Sequence, residues 1–281
     1  MKNNLVNYEE LDKIITQALR EDIGSGDITT DNLIPREIVS NGKLVAKADG
    51  IIAGLEIAKR VFDLLNAVTS WKQYKSEGEA VKAGEILVDF EGFLNPLLKC
   101  ERTALNFLQR ISGIATETNK YVSIVAEYKT EILDTRKTVP GLRMLDKYAV
   151  KCGGGTNHRI GLYDMVMIKD NHIKAAGSIT RAVESIKPRL KPSIKIEVET
   201  TNIREVKEAL AAGVDVIMLD NMTTFEMSEA VKFIDGRVKV EASGNMTTER
   251  LVETARAGVD YISVGALTHS VKALDISMLL Y

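Results

Sequence analysis

Beyond residue 130 the chain falls into a repeating rhythm of short β-prone runs. These begin near Glu131 (EILDT), Asp164 (DMVMIK), Ile194 (IKIEVE), Val216 (VIMLD), Val238 (VKVEAS) and Tyr261 (YISVG), the last four about 22 residues apart. Helical patterns over 202–212, 223–235 and 247–257 fill the gaps, with Gly213 and Gly258 as C-cap signals. A strand cannot reach a parallel neighbour through a tight hairpin; it needs a crossover, usually a helix. Apolar strands alternating with amphipathic helices therefore specify βα units and a parallel sheet. Six evenly spaced strands predict a TIM-like α/β barrel in preference to an open doubly wound sheet. The open sheet would place a Gly-rich turn after its first strand. Here no GxGxxG occurs, and Gly153-Gly154-Gly155 precedes a strand.

The first 110 residues read as a separate α+β domain. Residues 8–21 pattern as a helix with Leu11, Ile14, Ile15 and Ala18 on one face, broken by Gly24-Ser25-Gly26-Asp27. Strand-like runs follow at 43–48, 68–74 and 86–90, with a helix at 55–66 and a compact turn around Val81. A long helix is predicted over 98–126. Ala104, Leu108, Ile111 and Ala115 make its apolar stripe, and Arg102, Asn106, Gln109 and Gly113 face the other way, toward solvent, ligand or a partner subunit. The expected division is 1–110, then a barrel over 111–270, then a tail over 271–281 that packs back on the first domain.

Charge and cysteine content narrow the function. Thirty-seven Lys and Arg against thirty-nine Asp and Glu give a net charge of −2, which argues against a nucleic-acid scaffold. Any anionic ligand must then meet cations gathered in one pocket. Cys100 and Cys152 stand apart with no CxxC spacing, so neither a disulfide framework nor a thiolate zinc site is expected. Met1-Lys2-Asn3-Asn4 leads into a charged amphipathic stretch rather than a signal-peptide core, and no run reaches the ~18 apolar residues of a membrane span. The reading is a cytoplasmic protein that engages neither nucleic acid nor membrane.

In α/β barrels the active site lies at the C-terminal ends of the strands. Those ends read Asp134-Thr135-Arg136-Lys137-Thr138, Lys169-Asp170-Asn171-His172, Glu197-Val198-Glu199, Asp220-Asn221, Glu241-Ala242-Ser243-Gly244-Asn245 and Gly265-Ala266. The first two, with the connection between them, gather Arg136, Lys137, His158, Arg159, Lys169 and His172. Guanidinium forks and ammonium charges so placed suit a small dianion. The plainer alternative is a set of solvated loop cations paired with nearby acids. Glu199 and Asp220, on neighbouring strands, are a carboxylate pair able to hold Mg²⁺ through water, bond sugar hydroxyls or serve as acid and base. Ser243-Gly244-Asn245 and Val264-Gly265-Ala266 are small and neutral, as a backbone phosphate cradle requires.

The strings EDIGSGDITT (21–30), CERTALNFLQRISGIAT (100–116), DTRKTVPGLR (134–143), NHRIGLYDMVMIKDNHI (157–173), IEVE (196–199), MLDN (218–221), EASGN (241–245) and GVDYISVGALTHS (258–270) together resemble the quinolinate phosphoribosyltransferase family over nearly the whole chain. The resemblance implies an N-terminal α/β sandwich domain followed by a seven-stranded barrel. It implies a homodimer, or a hexamer assembled from such dimers, in which Arg102 reaches the neighbour's active site. The implied activity is phosphoribosyl transfer from phosphoribosyl pyrophosphate (PRPP) to quinolinate with Mg²⁺ as cofactor, releasing CO₂ and pyrophosphate. The implied binders of the quinolinate carboxylates are Arg136, His158, Arg159 and Lys169 with the twin's Arg102. Thr135 joins these substrate contacts, and Lys137 touches the PRPP moiety. Glu199 and Asp220 belong to the ribose and Mg²⁺ region, so Lys137, Glu199 and Asp220 are the implied catalytic set. Ser243, Gly244, Asn245, Val264, Gly265 and Ala266 are the implied 5-phosphate cradle. Three rivals stand beside this reading: a paralogue using another aromatic acid, a Schiff-base aldolase built on Lys169 or Lys195, and a metabolite sensor without turnover.

Overall fold

The computed structural model describes residues 6–281. Met1–Asn4, on which the expectation of no signal-peptide core partly rests, lies outside the described residues. In chain order the strands are β1 Val39–Ala46, β2 Gly50–Ile51, β3 Val68–Gln73, β4 Ala80–Val81, β5 Ile86–Phe93, β6 Glu131–Leu133, β7 Val166–Ile168, β8 Ile196–Thr200, β9 Val216–Asp220, β10 Lys239–Ser243, β11 Tyr261–Ser263 and β12 Ile276–Leu280. Two units divide the chain: residues 6–119, 138–154 and 267–281 in one, 120–137 and 155–266 in the other.

The first unit is built on an antiparallel sheet of order β12-β1-β5-β3, with β2 and β4 forming a small pair. Its opening helix Tyr8–Ile23 starts where the Asn7 side chain accepts the Glu9 and Glu10 N–H groups, and stops at Gly24, whose φ is +56°. Phe90 stacks on both Phe62 and Trp71, which are tilted to one another, with ring centroids 5.8–6.0 Å apart. The long helix runs Leu94–Ile124. Arg110 grips buried Asp146 on the helix Arg143–Cys152 at 2.8 Å, so residues 138–154 belong to this unit.

The polar stripe on the long helix needs correcting. Arg102 and Asn106 are exposed, but Gln109 and Gly113 are covered by the chain's C-terminal segment. Gln109 donates to the Ile276 carbonyl at 2.7 Å and its own carbonyl accepts the Leu274 N–H. A side chain at 113 would meet the Lys272 carbonyl at 2.3 Å. Gln109 and Gly113 thus guide the tail into place as β12 on β1.

The second unit is an α/β barrel-like domain whose parallel sheet has the order β6-β11-β10-β9-β8-β7. Each of the six β-prone runs of the sequence contains one of these strands. The resemblance implies seven strands. On the free edge of β6, Thr156 makes a one-residue parallel bridge to Leu133, so that position is occupied by a bridge rather than a strand. Helices Ile203–Ala212, Thr224–Ile234 and Thr248–Arg256 fill the predicted gaps. The Thr223–Glu226 capping box and the Asn202 cap fix two of their starts. Asp170–Ala176 and Ile179–Ile186 are helices that the pattern did not announce.

Candidate active site

Parallel register sorts the strand residues onto two faces. Glu197 pairs with Val216 and Glu199 with Met218, while Glu241 pairs with Met218 and Ser243 with Asp220. Side chains alternate along a strand, so Glu197, Glu199, Asp220, Glu241, Ser243 and Ser263 share one face. The other carries Val198, Thr200, Ile217, Leu219, Val240, Ala242 and Ile262, all buried. The apolar face anchors the strands, which leaves the polar face free for chemistry.

Deep on that polar face lies a cluster that the sequence reading did not assemble. The His158 Nε2 stands 3.1 Å from Glu197 and 3.2 Å from Glu241, and both carboxylates are buried. Glu241 also accepts from the Ser263 hydroxyl. Buried Asp134 accepts the His158 N–H at 2.9 Å and the Asn157 amide at 2.6 Å. Burial and the nearby Glu241 charge raise the Glu197 carboxyl above its ordinary range, against the pull of His158. For His158, burial disfavours the charged ring, but the two carboxylates outweigh it and raise the pKa. The Arg159 backbone N lies 2.7 Å from His158 Nδ1. His158 thus stands between the Glu197 and Glu241 carboxylates and beside Arg159. The signal was present in IEVE: two glutamates at period 2 on an otherwise buried strand.

Arg159 feels both the Glu197 carboxylate of this cluster and the Arg136 guanidinium. Arg159 is half-buried, with its guanidinium against the Met165 carbonyl (3.2 Å) and the Met167 sulfur (3.6 Å). Its pKa is lowered first by burial and then by the charge of Arg136. Arg136 is half-buried too, and its Nε is buried with no hydrogen-bond partner. Lys169 ion-pairs with Glu199. Lys137 is exposed, its N–H on the Thr135 hydroxyl at 3.0 Å. The aldolase reading fails here: an ion-paired ammonium is no nucleophile, and Lys195 is exposed ahead of its strand. Arg102 lies in the first unit, exposed on the long helix.

The small-residue turns follow. Asn221 (φ +54°), Gly244 (φ +95°) and Asn245 (φ +46°) all adopt left-handed backbone. A Cβ at 244 would strike the Asn221 side chain at 2.2 Å and its backbone N at 2.9 Å, so only glycine fits. The Asn221 N–H donates to the Ser243 carbonyl, and its side-chain amide donates to Asp220 at 2.7 Å. On the next strand Val264 N–H donates to Leu133, while Gly265 and Ala266 are half-buried.

The donor set offers two places for a divalent cation. The His158–Glu197–Glu241 group supplies one nitrogen and two buried carboxylates. Mg²⁺ prefers an octahedral oxygen shell that keeps several waters and shares substrate phosphates. Glu199 and Asp220, half-buried and on one face of neighbouring strands, fit that preference better.

Comparison with known proteins agrees with the whole chain. The family described as quinolinate phosphoribosyl transferase matches with its N-terminal domain over residues 27–112 and its C-terminal domain over 114–279. A probable nicotinate-nucleotide pyrophosphorylase (carboxylating) of Synechocystis is 47% identical over 95% of this chain and 92% of its own length. One of the same name from Bacillus subtilis is 44% identical over 97% and 94%. The solved nicotinate-nucleotide pyrophosphorylase of Francisella tularensis superposes with a TM-score of 0.94 at 39% identity, covering 100% of both chains.

Proposed function

The chain belongs to the quinolinate phosphoribosyl transferase family, and on that premise we propose how its own residues carry the reaction. It is a pentosyltransferase of NAD biosynthesis. It moves the phosphoribosyl group of PRPP to quinolinate with loss of a carboxylate, giving nicotinate mononucleotide, pyrophosphate and CO₂.

One observation carries the assignment of residues. Arg136 and Arg159 are half-buried guanidiniums close enough for one charge to disfavour the other, and neither is hydrogen-bonded to a carboxylate among the described residues. A dianion between them relieves that repulsion and accepts their forks. Lys169 adds a third charge once it turns from Glu199 to the ligand. Arg102, lent by a second subunit, adds a fourth. Thr135 orders the turn that carries Arg136 and Lys137.

The pyridine nitrogen attacks the ribose C1 as the C1–pyrophosphate bond breaks. Glu199 and Asp220 orient the ribose hydroxyls and oppose the positive charge that develops on the sugar. Lys137 meets the departing pyrophosphate. Glu199 and Asp220 would hold Mg²⁺ through water, and the ion would supply charge neutralisation at the phosphates. Ser243, Gly244 and Asn245 with Val264, Gly265 and Ala266 cradle the 5-phosphate. The C2 carboxylate then leaves as CO₂, its bonding electrons passing into the pyridinium ring, and a proton takes its place. Positioning and electrostatics supply the rate without a covalent enzyme intermediate. The two free cysteines, Cys100 and Cys152, suit a reducing cytoplasm.

The test is direct. Purified chain with quinolinate, PRPP and Mg²⁺ should release CO₂ and pyrophosphate in equal amounts, and omission of Mg²⁺ should leave it nearly inert. Pyridine monocarboxylates turned over as fast as quinolinate would remove the dianion reading.

A further inference from the structure

We propose that Arg250 is the positioning residue that holds the phosphate cradle open, an assignment that rests on the 5-phosphate reading above. Arg250 lies in the first turns of the helix Thr248–Arg256, and its guanidinium touches no acid among the described residues. It spends its donors on three carbonyls instead: Gly244 at 3.2 Å, Asn245 at 3.3 Å and Met222 at 3.3 Å. Two of these belong to the turn after β10 and the third to the turn after β9. One side chain therefore ties both turns together.

Two consequences follow from peptide geometry. A trans peptide points its C=O and N–H in opposite directions. With the Gly244 and Asn245 carbonyls drawn to Arg250, the Asn245 and Met246 N–H groups point away from it. Neither these amides nor that of Gly244 donates to a protein acceptor among the described residues. They are the donors that a phosphate needs. The same bonds also answer a conformational problem. Asn221 and Asn245 are non-glycine residues at positive φ, a conformation that persists only where the surroundings enforce it. Arg250 is that enforcement at Asn245 directly. It reaches Asn221 through the neighbouring Met222 carbonyl, and Asn221 in turn holds the Asp220 carboxylate. Phosphate affinity and the stance of Asp220 thus depend on one guanidinium that is assigned no contact with substrate.

Arg250→Met and Arg250→Lys test this in the full-length enzyme. Arg250→Met should raise the KM for PRPP by about tenfold or more while the KM for quinolinate moves less than about twofold. Calorimetric titration with inorganic phosphate should show the same loss without turnover, and Arg250→Lys, with one point charge for a fork, should fall between. Asn245→Gly relieves the conformational demand, so adding it to Arg250→Met should restore part of the phosphate affinity. If Arg250→Met does not fold, the Lys variant and its Asn245→Gly double carry the same comparison. Unchanged phosphate affinity in a folded variant, or equal rises in both KM values, would overturn the assignment. A wild-type enzyme that binds phosphate but does not form nicotinate mononucleotide would instead sink the proposed reaction and leave the role of Arg250 standing.

Discussion

At the scale of the residue, the chain shows how burial changes what a charged side chain is for. Lys169 and Glu199 neutralise one another on the polar face, so Lys169 is available only by exchanging partners. Lys169→Ala should raise the KM for quinolinate and lower kcat, for a loss in kcat/KM on the order of tenfold to a hundredfold. Steady-state kinetics with each substrate varied in turn would show it, and near-wild-type values would remove Lys169 from the site. Glu77 is a second case, in the first unit. It accepts the Gly54 N–H at 2.6 Å, ahead of the helix Leu55–Leu64, and also meets Tyr148. Burial raises its pKa above 4.5, and the hydrogen bonds offset this only in part. A carboxyl whose folded pKa is raised favours the fold below its unfolded value, and that stability is lost as pH rises through the folded value. Glu77→Gln should therefore gain in Tm relative to wild type as pH rises above the ordinary carboxylate range. A thermal melt series at fixed ionic strength checks the sign.

At the scale of the element, strands and helices were legible where one period dominated. The helix at Tyr8, the strands near 68 and 86 and all six parallel strands follow from alternation and capping chemistry. The helix Asp170–Ala176 was hidden because its residues, DNHIKAA, also read as a polar strand end, and no residue in it is buried to give a period. The stripe from Arg102 to Gly113 misled for a different reason. A polar helix face shows that something other than core lies against it, but not whether that is water, a ligand or another stretch of the same chain. Here half of it receives residues 272–276. Gly113→Ala should press a methyl into the Lys272 carbonyl, costing about 1–3 kcal/mol, and should expose the tail to protease cleavage. Unaltered stability and an uncut tail would contradict the packing.

At the scale of the whole molecule, the proposal that a second copy lends Arg102 to the site makes a prediction. An Arg102→Ala chain and a Lys169→Ala chain each lack one contribution, and a mixed dimer restores one complete site. Mixing the two inactive variants should recover about one quarter of wild-type activity when exchange is random. No recovery, with heterodimers present by mass, would place Arg102 outside the partner's site. The sequence by itself determined the barrel's strands, the order of charges along its rim and the family, because periodicity, glycine positions and motif spacing are properties of neighbouring residues. Only the tertiary structure decided that Glu197, Glu241 and His158 meet and that Arg250 binds three carbonyls of two turns. Those contacts join residues tens of positions apart, and which side chain answers which buried charge is fixed only when the strands take their register.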